Sequence, residues 1–401
     1  MLFVVKQLHL DIDMISIILS IYSGGNHMNE QAKLFLDRNR DVEHIVNAAT
    51  SLGHFEFGEH SDKYFAMLVM SDVHRSYQQM HNMVTYLNYK DGIDVGISLG
   101  DHMGDHFREN DAMWYINKVR ESSKRIFTVI GNHDVGNSPL AVRSGTSEEV
   151  FEKYLLPLRD HMGLPELNKT FYSVNFDEYK ITLIVLNNYM TPDEKDENGD
   201  FYYNRGLSCL NQEEVDWLIE TLNQVPVDYH VIIAKHDYTD DPIKTPCDWT
   251  QETFGIYVHE GAYGKCNLVP DIVHAWMNGA VLNKEYAPLE KYGRLPVLDV
   301  HADFTQRGNG NFVAYLIGHV HRDHRGTANP YTDQIILTFP CAGTDRWSNA
   351  HSDLPRLEDT KAEDCLTVFA VDTKNRRINM VRIGSNITNT MINRTFTGFS
   401  Y

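Results

Sequence analysis

Cysteine is scarce in this chain of 401 residues. The cysteines are odd in number, widely separated and without a CxxC pair; they are Cys209, Cys247, Cys266, Cys341 and Cys365. This spacing argues against a disulfide framework and against a zinc site built on thiolates. It is typical of proteins in a reducing compartment, so we expect a cytoplasmic protein.

Long apolar runs are also missing. The longest run near the start, residues 14–22, is too short to cross a bilayer. Asp11 and Asp13 precede it, where a secretory signal would carry basic residues, so export is the less favoured alternative. We therefore expect no membrane span and interpret residues 1–28 as an N-terminal tail.

Basic residues are outnumbered, with Lys+Arg at 36 against Asp+Glu at 55 and a formal net charge of −19. Such a chain repels polyphosphates at long range, so we expect no duplex nucleic acid as a partner and a nuclease is disfavoured. The chain does contain 20 histidines. Histidine and acidic side chains are common metal ligands, so a metalloprotein is one hypothesis.

The first half of the chain alternates strand-like and helix-like segments. Apolar runs at 65–70, 95–99 and 125–130 predict buried strands, and apolar residues at helical spacing predict helices at 77–88 and 111–122. Each of these strands is followed by a polar cluster. In open α/β sheets the carboxyl ends of the strands are where ligands bind.

The second half continues with further strands. The predicted elements are a hairpin at 171–187, a helix at 212–223, and strands at 230–234, 312–317, 334–339, 365–371 and 379–383. No linker separates the halves, so we predict one large domain over residues 61–401. Amphipathic spacing predicts a helical extension at 29–60. The aromatic-rich segment 237–310 is predicted to be a cap or specificity insertion, with ordinary packing as the alternative.

Five short polar clusters carry the chemistry. They are Asp72-Val73-His74, Gly100-Asp101, Gly131-Asn132-His133-Asp134, His236, and Gly318-His319-Val320-His321. Singly, each has an ordinary explanation as a helix cap, a turn or a buried histidine. Together they place oxygen and imidazole donors at successive strand ends, which packing does not require.

The order and content of these clusters resemble the calcineurin-like metallophosphoesterase superfamily. Its pattern is D-x-H, G-D, G-N-H-[D/E], a histidine after a strand, and G-H-x-H, and all five blocks stand between Asp72 and His321. The resemblance implies an α/β (α+β) fold, namely a β-sandwich of two mixed sheets flanked by helices. It also implies two divalent metal ions at the sheet ends.

The resemblance assigns a role to each ligand. One metal would be held by Asp72, His74 and His321, the other by Asn132, His236 and His319, with Asp101 bridging the two. Alternate residues of an extended segment point to one face, which agrees with the spacing of His319 and His321. Gly131 and Gly318 would let the backbone pass close to the metals.

The activity that the resemblance implies is hydrolysis of a small or medium phosphomonoester or phosphodiester by a metal-bridging hydroxide. His133 would protonate the leaving group or stabilise its charge. The carboxylate that orients His133 is open between Asp105 and Asp134. The alternative function is a non-catalytic, metal-containing module that binds a phosphorylated ligand or a protein partner. The sequence gives no indication of oligomeric state.

The identity of the metal stays open between manganese, zinc, iron and nickel, because nitrogen and oxygen ligands do not separate them. Purple acid phosphatases carry D-x-G in the first block and a tyrosine three residues after the bridging aspartate. This chain has His74 and Gly104 at those positions, so a tyrosinate-bound ferric ion is not expected. Weaker candidates for substrate contact, with a solvated surface role as the alternative, are His102, His106, His324, Arg322 and Arg325.

Overall fold

The computed structural model describes residues 30–50, 64–103, 112–136, 144–203, 205–238, 267–321, 323–328, 330–343, 360–385 and 396–401. The predicted N-terminal tail lies outside these residues. So do Asp105, His106 and Arg322, together with residues 239–266 of the predicted insertion.

Helices and strands alternate along the chain. The first half contains α1 (Glu30–Arg38), α2 (Glu43–Thr50), β1 (Phe65–Met70), α3 (Tyr77–Tyr89), β2 (Val95–Ser98), α4 (Met113–Arg120), β3 (Ile126–Thr128), α5 (Ser147–Val150), α6 (Arg159–Met162), β4 (Tyr172–Phe176) and β5 (Ile181–Val185). The second half contains α7 (Gln212–Gln224), β6 (His230–Lys235), α8 (Leu268–Met277), β7 (Val281–Tyr286), β8 (Leu298–Asp303), β9 (Asn311–Ile317), β10 (His324–Thr327), β11 (Ile335–Thr338), β12 (Cys365–Asp372), β13 (Arg377–Gly384) and β14 (Phe396–Ser400).

Two six-stranded mixed sheets form the framework. The first has the order β14-β13-β12-β1-β2-β3, in which β1, β2 and β3 are parallel and the other pairs are antiparallel. The second has the order β10-β11-β9-β6-β5-β4, with a parallel centre and an antiparallel pair at each edge. The predicted βαβαβ unit and the two mixed sheets flanked by helices are confirmed.

The strands of the second sheet are apolar on both faces. One face packs against the first sheet and the other packs against helices. Ile181, Leu183 and Val185 of β5 lie in the core that is shared with the first sheet. Ile184, between them, points into a separate core under α7 and α8. Strands buried on both faces read as continuous apolar runs, which is why β5, β6 and β9 were predictable.

The N-terminal helices are joined to the first sheet by a polar hub on Asp364. Its carboxylate accepts hydrogen bonds from Arg38 Nε at 2.7 Å, from Asn39 Nδ2 at 2.7 Å and from Asn82 Nδ2 at 2.7 Å. Asp364 is fully buried and precedes β12, so the hub connects α1, α3 and the C-terminal strands. The predicted helices between residues 29 and 52 are confirmed as α1 and α2.

The described part of the predicted insertion lies on the outer face of the second sheet. Helix α8 packs against α7 and β9, and the indole Nε1 of Trp276 donates to the carbonyl of Leu222 at 3.0 Å. The hairpin of β7 and β8 extends from this layer. Among the residues that the structure describes, no helix is long and apolar enough to cross a membrane.

Candidate metal centre

The five sequence clusters meet at one edge of the sandwich. The first sheet contributes the loops after β1, β2 and β3, and the second sheet contributes the loops after β6 and β9. The carboxyl ends of parallel strands share an edge, so this convergence follows from the topology. The structure brings together the seven predicted ligands, which are Asp72, His74, Asp101, Asn132, His236, His319 and His321.

A first group consists of Asp72, His74, Asp101 and His321, whose candidate ligand atoms all lie within 4.8 Å of one another. His74 Nε2 is 3.1 Å from His321 Nε2, and His321 Nε2 is 3.2 Å from Asp72 Oδ1. All four residues are buried. Two carboxylates and two imidazoles at this spacing fit a divalent cation.

A second group consists of Asp101, His236 and His319, again with ligand atoms within 4.8 Å. The amide oxygen of Asn132 lies 3.1 Å from His236 Nε2 and 2.9 Å from His319 Nδ1. His236 Nε2 is also 3.2 Å from Asp101 Oδ2. Asp101 thus belongs to both groups.

The charges of this site are unbalanced without a cation. Burial by itself would raise the pKa of Asp72, but His321 and His236 outweigh it and lower that pKa to about 2. Burial disfavours the charged form of His236, yet Asp101 and Asp72 raise its pKa to about 10. The carboxylates therefore hold a proton on His236, and a bound divalent cation would take over that compensating role.

Hydrogen bonds orient the predicted ligands. His236 Nδ1 donates to the carbonyl of Leu99 at 2.5 Å, which leaves Nε2 as the donor atom toward the site. The backbone N–H of His319 donates to both carboxylate oxygens of Asp72. Ser71 Oγ donates to Asp72 Oδ2 at 2.5 Å. These hydrogen bonds therefore hold the side chains of His236 and Asp72 in place without a bound ion.

Several of these residues have left-handed backbone conformations. The φ angles are 51° at Asp72, 44° at His74, 52° at Asp101, 61° at His319 and 57° at His321. A positive φ at a residue other than glycine costs on the order of 1–3 kcal/mol and persists only where the surrounding structure imposes it. The expectation that His319 and His321 lie in an extended segment is therefore wrong, because both residues have left-handed φ angles. The loops adopt strained backbone conformations that bring these side chains to the site.

Glycines let these loops approach one another. A Cβ on Gly131 would lie 2.2 Å from Asp101 Oδ1, and one on Gly318 would lie 2.4 Å from Ser71 Oγ. Gly100, at φ +95°, would place a Cβ 2.4 Å from His236 Nδ1. A side chain at Gly131 or Gly318 would therefore collide with Asp101 or Ser71, and the prediction that these glycines let the backbone pass close to metals stays a prediction.

His133 lies at the rim of the site. Its backbone N–H donates to Asp101 Oδ1 at 2.8 Å, and its Nε2 is 3.8 Å from Asp101 Oδ2. The side chain is 14% exposed, whereas that of Asp101 is 1% exposed. The imidazole is therefore accessible from solvent while its position is fixed by a predicted metal ligand.

Asp134, one of the two carboxylates considered for orienting His133, is engaged elsewhere. Its Oδ1 accepts from the backbone N–H groups of His102 and Met103, and its Oδ2 accepts from the N–H of Gly131. Its Oδ2 is also 2.9 Å from His102 Nδ1. Asp134 thus ties the loop after β2 to the loop after β3, and His102 is fully buried.

Of the weaker sequence candidates, Arg325 has a described contact. Asp105 and His106 lie outside the described residues, as does Arg322. Arg325 places its guanidinium over the ring of Phe399, 4.7 Å from the centroid, which ties it to the C-terminal strand. His324 begins β10.

Sequence reasoning missed one group at this site. The thiol of Cys341 lies with the imidazoles of His74 and His321 in a further set whose ligand atoms are all within 4.8 Å. The expectation from the sequence was a site of oxygen and imidazole donors alone. Cys341 comes shortly after β11, and it reaches the site through the pairing of its segment with Ser71, which no local sequence pattern indicates.

Comparison with known proteins places the chain in a family. The sequence profile of calcineurin-like phosphoesterases matches residues 65–323, which is more than half of the chain, and the chain belongs to this family. The resemblance inferred from the motifs is thus confirmed. A search of curated proteins found no match.

The chain also matches solved structures, at low sequence identity and with TM-scores below 0.5. A phosphopantetheinyl hydrolase from Mycobacterium tuberculosis is 14% identical, with a TM-score of 0.37, over 72% of this chain and 93% of that chain. A purple acid phosphatase from yellow lupin (Lupinus luteus) seeds is 11% identical, with a TM-score of 0.43, over 84% of this chain and 54% of that chain. A 5'-nucleotidase precursor from Thermus thermophilus is 10% identical, with a TM-score of 0.34, over 84% and 54% respectively.

Proposed function

We propose that this protein is a dinuclear metal-dependent hydrolase of small or medium phosphate esters. Membership of the calcineurin-like phosphoesterases makes it a phosphoesterase. The observation that carries the dinuclear assignment is the position of Asp101, whose carboxylate belongs to both groups of candidate ligands. A carboxylate shared in this way suits a bridging ligand between two cations.

The chain's own residues divide into two ligand sets. Asp72, His74 and His321 would hold one divalent ion, and Asn132, His236 and His319 would hold the other. When bound, such ions act as Lewis acids and lower the pKa of coordinated water. Because five of these six ligands are neutral when coordinating, a positive field remains at the site, and it attracts phosphate despite the charge of −19 on the whole chain.

His133 is the proposed catalytic residue. Its accessibility and its fixed position beside Asp101 let it reach the leaving-group oxygen and protonate it, or stabilise its charge. Asp105 is proposed to orient His133, since the hydrogen bonds of Asp134 go to His102, Met103 and Gly131. We propose no duplex nucleic acid as a substrate, because the net charge of −19 repels a polyphosphate at long range.

Cellular context is proposed from the thiols. Cys209, Cys341 and Cys365 are all free in the structure, which fits a reducing compartment such as the cytoplasm.

Residues 29–60 are proposed as an extension of the catalytic domain 61–401, because α1 and the C-terminal half share the Asp364 hub. The insertion 237–310 is proposed to contribute to specificity because it begins directly after the predicted ligand His236.

Metal content and turnover measured on one sample test the proposal. We expect two equivalents of metal per chain after loading with Mn²⁺, Zn²⁺, Fe²⁺ or Ni²⁺, and hydrolysis of p-nitrophenyl phosphate, bis-p-nitrophenyl phosphate or both. Asp101→Ala should lose metal and activity together, whereas Asp228→Ala, at an exposed position, should keep both. A wild-type protein that holds two metals but turns over neither substrate would exclude the catalytic role and favour a binding module.

A further inference from the structure

A third kind of donor atom lies beside the predicted ligands. Cys341 is fully buried, and its Sγ lies within 4.8 Å of the candidate ligand nitrogens of His74 and His321. Among the described residues, no other cysteine belongs to a group that could hold a metal ion. Cys209 instead donates to the carbonyl of Leu210, and Cys365 accepts from Arg382.

The backbone holds Cys341 in this position. Cys341 pairs with Ser71 in a parallel bridge, and the N–H of Ala342 donates to the carbonyl of Ser71 at 2.8 Å. Cys341 Sγ and the N–H of Gly343 both donate to the carbonyl of Asp72, each at 3.0 Å. Because this segment runs alongside the Asp72 loop, the backbone places Cys341 next to the site, and the observed side-chain conformation brings its thiol near His74 and His321.

We propose that Cys341 is an additional metal ligand at the position formed by Asp72, His74 and His321, and that this position takes a thiophilic divalent ion such as Zn²⁺ in preference to Mn²⁺. On binding, the thiol releases its proton to solvent and exchanges its hydrogen bond to the Asp72 carbonyl for the bond to the metal. The inference rests on the proposed metal centre but does not depend on catalysis.

The geometry is compatible with such a site. At about 2.3 Å from sulfur and about 2.0 Å from nitrogen, ligand angles of about 90–109° set a sulfur-to-nitrogen separation of about 3.0–3.5 Å. His74 Nε2 and His321 Nε2 are 3.1 Å apart, so both imidazoles already meet the spacing that one ion requires. A thiolate among imidazole and carboxylate ligands shifts selectivity toward softer ions.

Cobalt substitution of the full chain tests this directly. Co²⁺ bound to a thiolate gives a near-ultraviolet charge-transfer band that imidazole and carboxylate ligation does not give. We expect the band in the wild type, its loss in Cys341→Ser and Cys341→Ala, and its retention in Cys209→Ser. Cys209 is the matched control because it too is buried and donates its thiol to a backbone carbonyl. Two substitutions are used so that one that fails to fold does not end the test.

The second readout is metal preference. The ratio of Zn²⁺ to Mn²⁺ affinity should fall by at least roughly tenfold in Cys341→Ser and stay unchanged in Cys209→Ser. Wild-type protein that binds Co²⁺ without the band, or a band that persists in Cys341→Ser, overturns the inference, as does a failure to bind Co²⁺. Phosphoesterase assay of the same samples separates the two proposals, because turnover without the band removes the ligand role alone and the band without turnover removes the catalytic role alone.

Discussion

Arg382 and Asp323 form a buried ion pair that connects the two sheets. Arg382 Nη2 lies 2.5 Å from Asp323 Oδ1, and each side chain is 1% exposed. Arg382 belongs to β13 of the first sheet, whereas Asp323 lies in the loop before β10 of the second, two residues after His321. The pair therefore fixes the loop that carries a predicted metal ligand.

Removing one partner of this pair should destabilise the fold. Arg382→Met leaves a buried carboxylate without its cation, so we expect a loss of about 3–5 kcal/mol in the free energy of unfolding, measured by urea denaturation. The double variant Arg382→Met/Asp323→Leu should recover most of the loss, because no buried charge remains. Lys169→Met, which breaks an exposed ion pair with Glu213, should change stability by less than about 1 kcal/mol. A single variant as stable as the wild type would show that the pair is not formed in solution.

The Asp364 hub should make the N-terminal helices part of the cooperative fold. Asp364→Ala removes the acceptor for Arg38, Asn39 and Asn82 together, and we expect a loss of about 3 kcal/mol or more in urea denaturation. Asp41→Ala is the control, since its exposed pair with Lys361 also joins the extension to this region. Equal stability of the two variants would contradict the hub.

Gly131 should tolerate no side chain. The Cβ of Gly131→Ala would lie 2.2 Å from Asp101 Oδ1 and 2.3 Å from Asp101 N, so the shared carboxylate has to move. We expect loss of metal binding and activity while the circular dichroism spectrum stays that of the wild type. Gly199→Ala is the comparison: Gly199 has φ +87° but open space around it, so it should cost some stability and leave metal content intact.

Substitution of His133 should lower the turnover rate and leave metal binding unchanged. We expect His133→Ala to retain metal and lower kcat by about 10²–10⁴-fold, because only the proton donor is removed. Metal content and kcat measured on one preparation check this. Full activity in His133→Ala would remove the residue from the mechanism.

Glu214 should give the protein a pH-dependent stability. It is fully buried in α7, and burial raises its pKa to about 8 against the opposing influence of the Asn187 N–H and Lys235. The folded state keeps a proton that the unfolded state loses above its ordinary pKa of 4.5. The contribution of this group to stability is therefore present below pH ~4.5 and falls as pH rises toward ~8, by up to about 1.4 kcal/mol per pH unit.

Glu214→Gln tests that slope. The free energy of unfolding of the wild type should fall relative to that of this variant as the pH rises from 5 to 8, measured by urea denaturation at both values. Glu213→Gln, at the exposed neighbouring position, should show no such difference. A wild type and a Glu214→Gln variant with parallel pH profiles would mean that Glu214 titrates normally in the fold.

The sequence predicted the strands that are buried along their whole length. The run at 65–70 coincides with β1, and the runs at 230–234 and 312–317 fall within β6 and β9, because strands buried on both faces are apolar throughout. Helix α8 escaped prediction. Most of its residues are buried and its sequence is apolar except at Asp271 and His274, so it resembles a buried segment of either type. Strand β7 is mostly exposed and shows no apolar alternation.

The candidate site was predicted by residue type and strand position, and its remaining parts depend on sheet order. Cys341 reaches His74 because β11 lies beside β9 in the second sheet, and no local pattern encodes that neighbour. The contact of Asp134 with His102 likewise depends on β3 lying next to β2. The positive φ angles at the ligands were also not predictable, since aspartate and histidine give no signal of the kind that glycine gives.

The separation of the ligands along the chain has a consequence for biosynthesis. His74 and His321 are 247 positions apart, yet their ring nitrogens lie 3.1 Å from each other. A ribosome has completed the first sheet's parallel strands long before it adds His319 and His321. The nascent chain therefore exposes Asp72, His74 and Asp101 before the other predicted ligands exist. The full set of predicted ligands is complete only when synthesis has passed His321, so loading of the proposed centre with both ions follows that point.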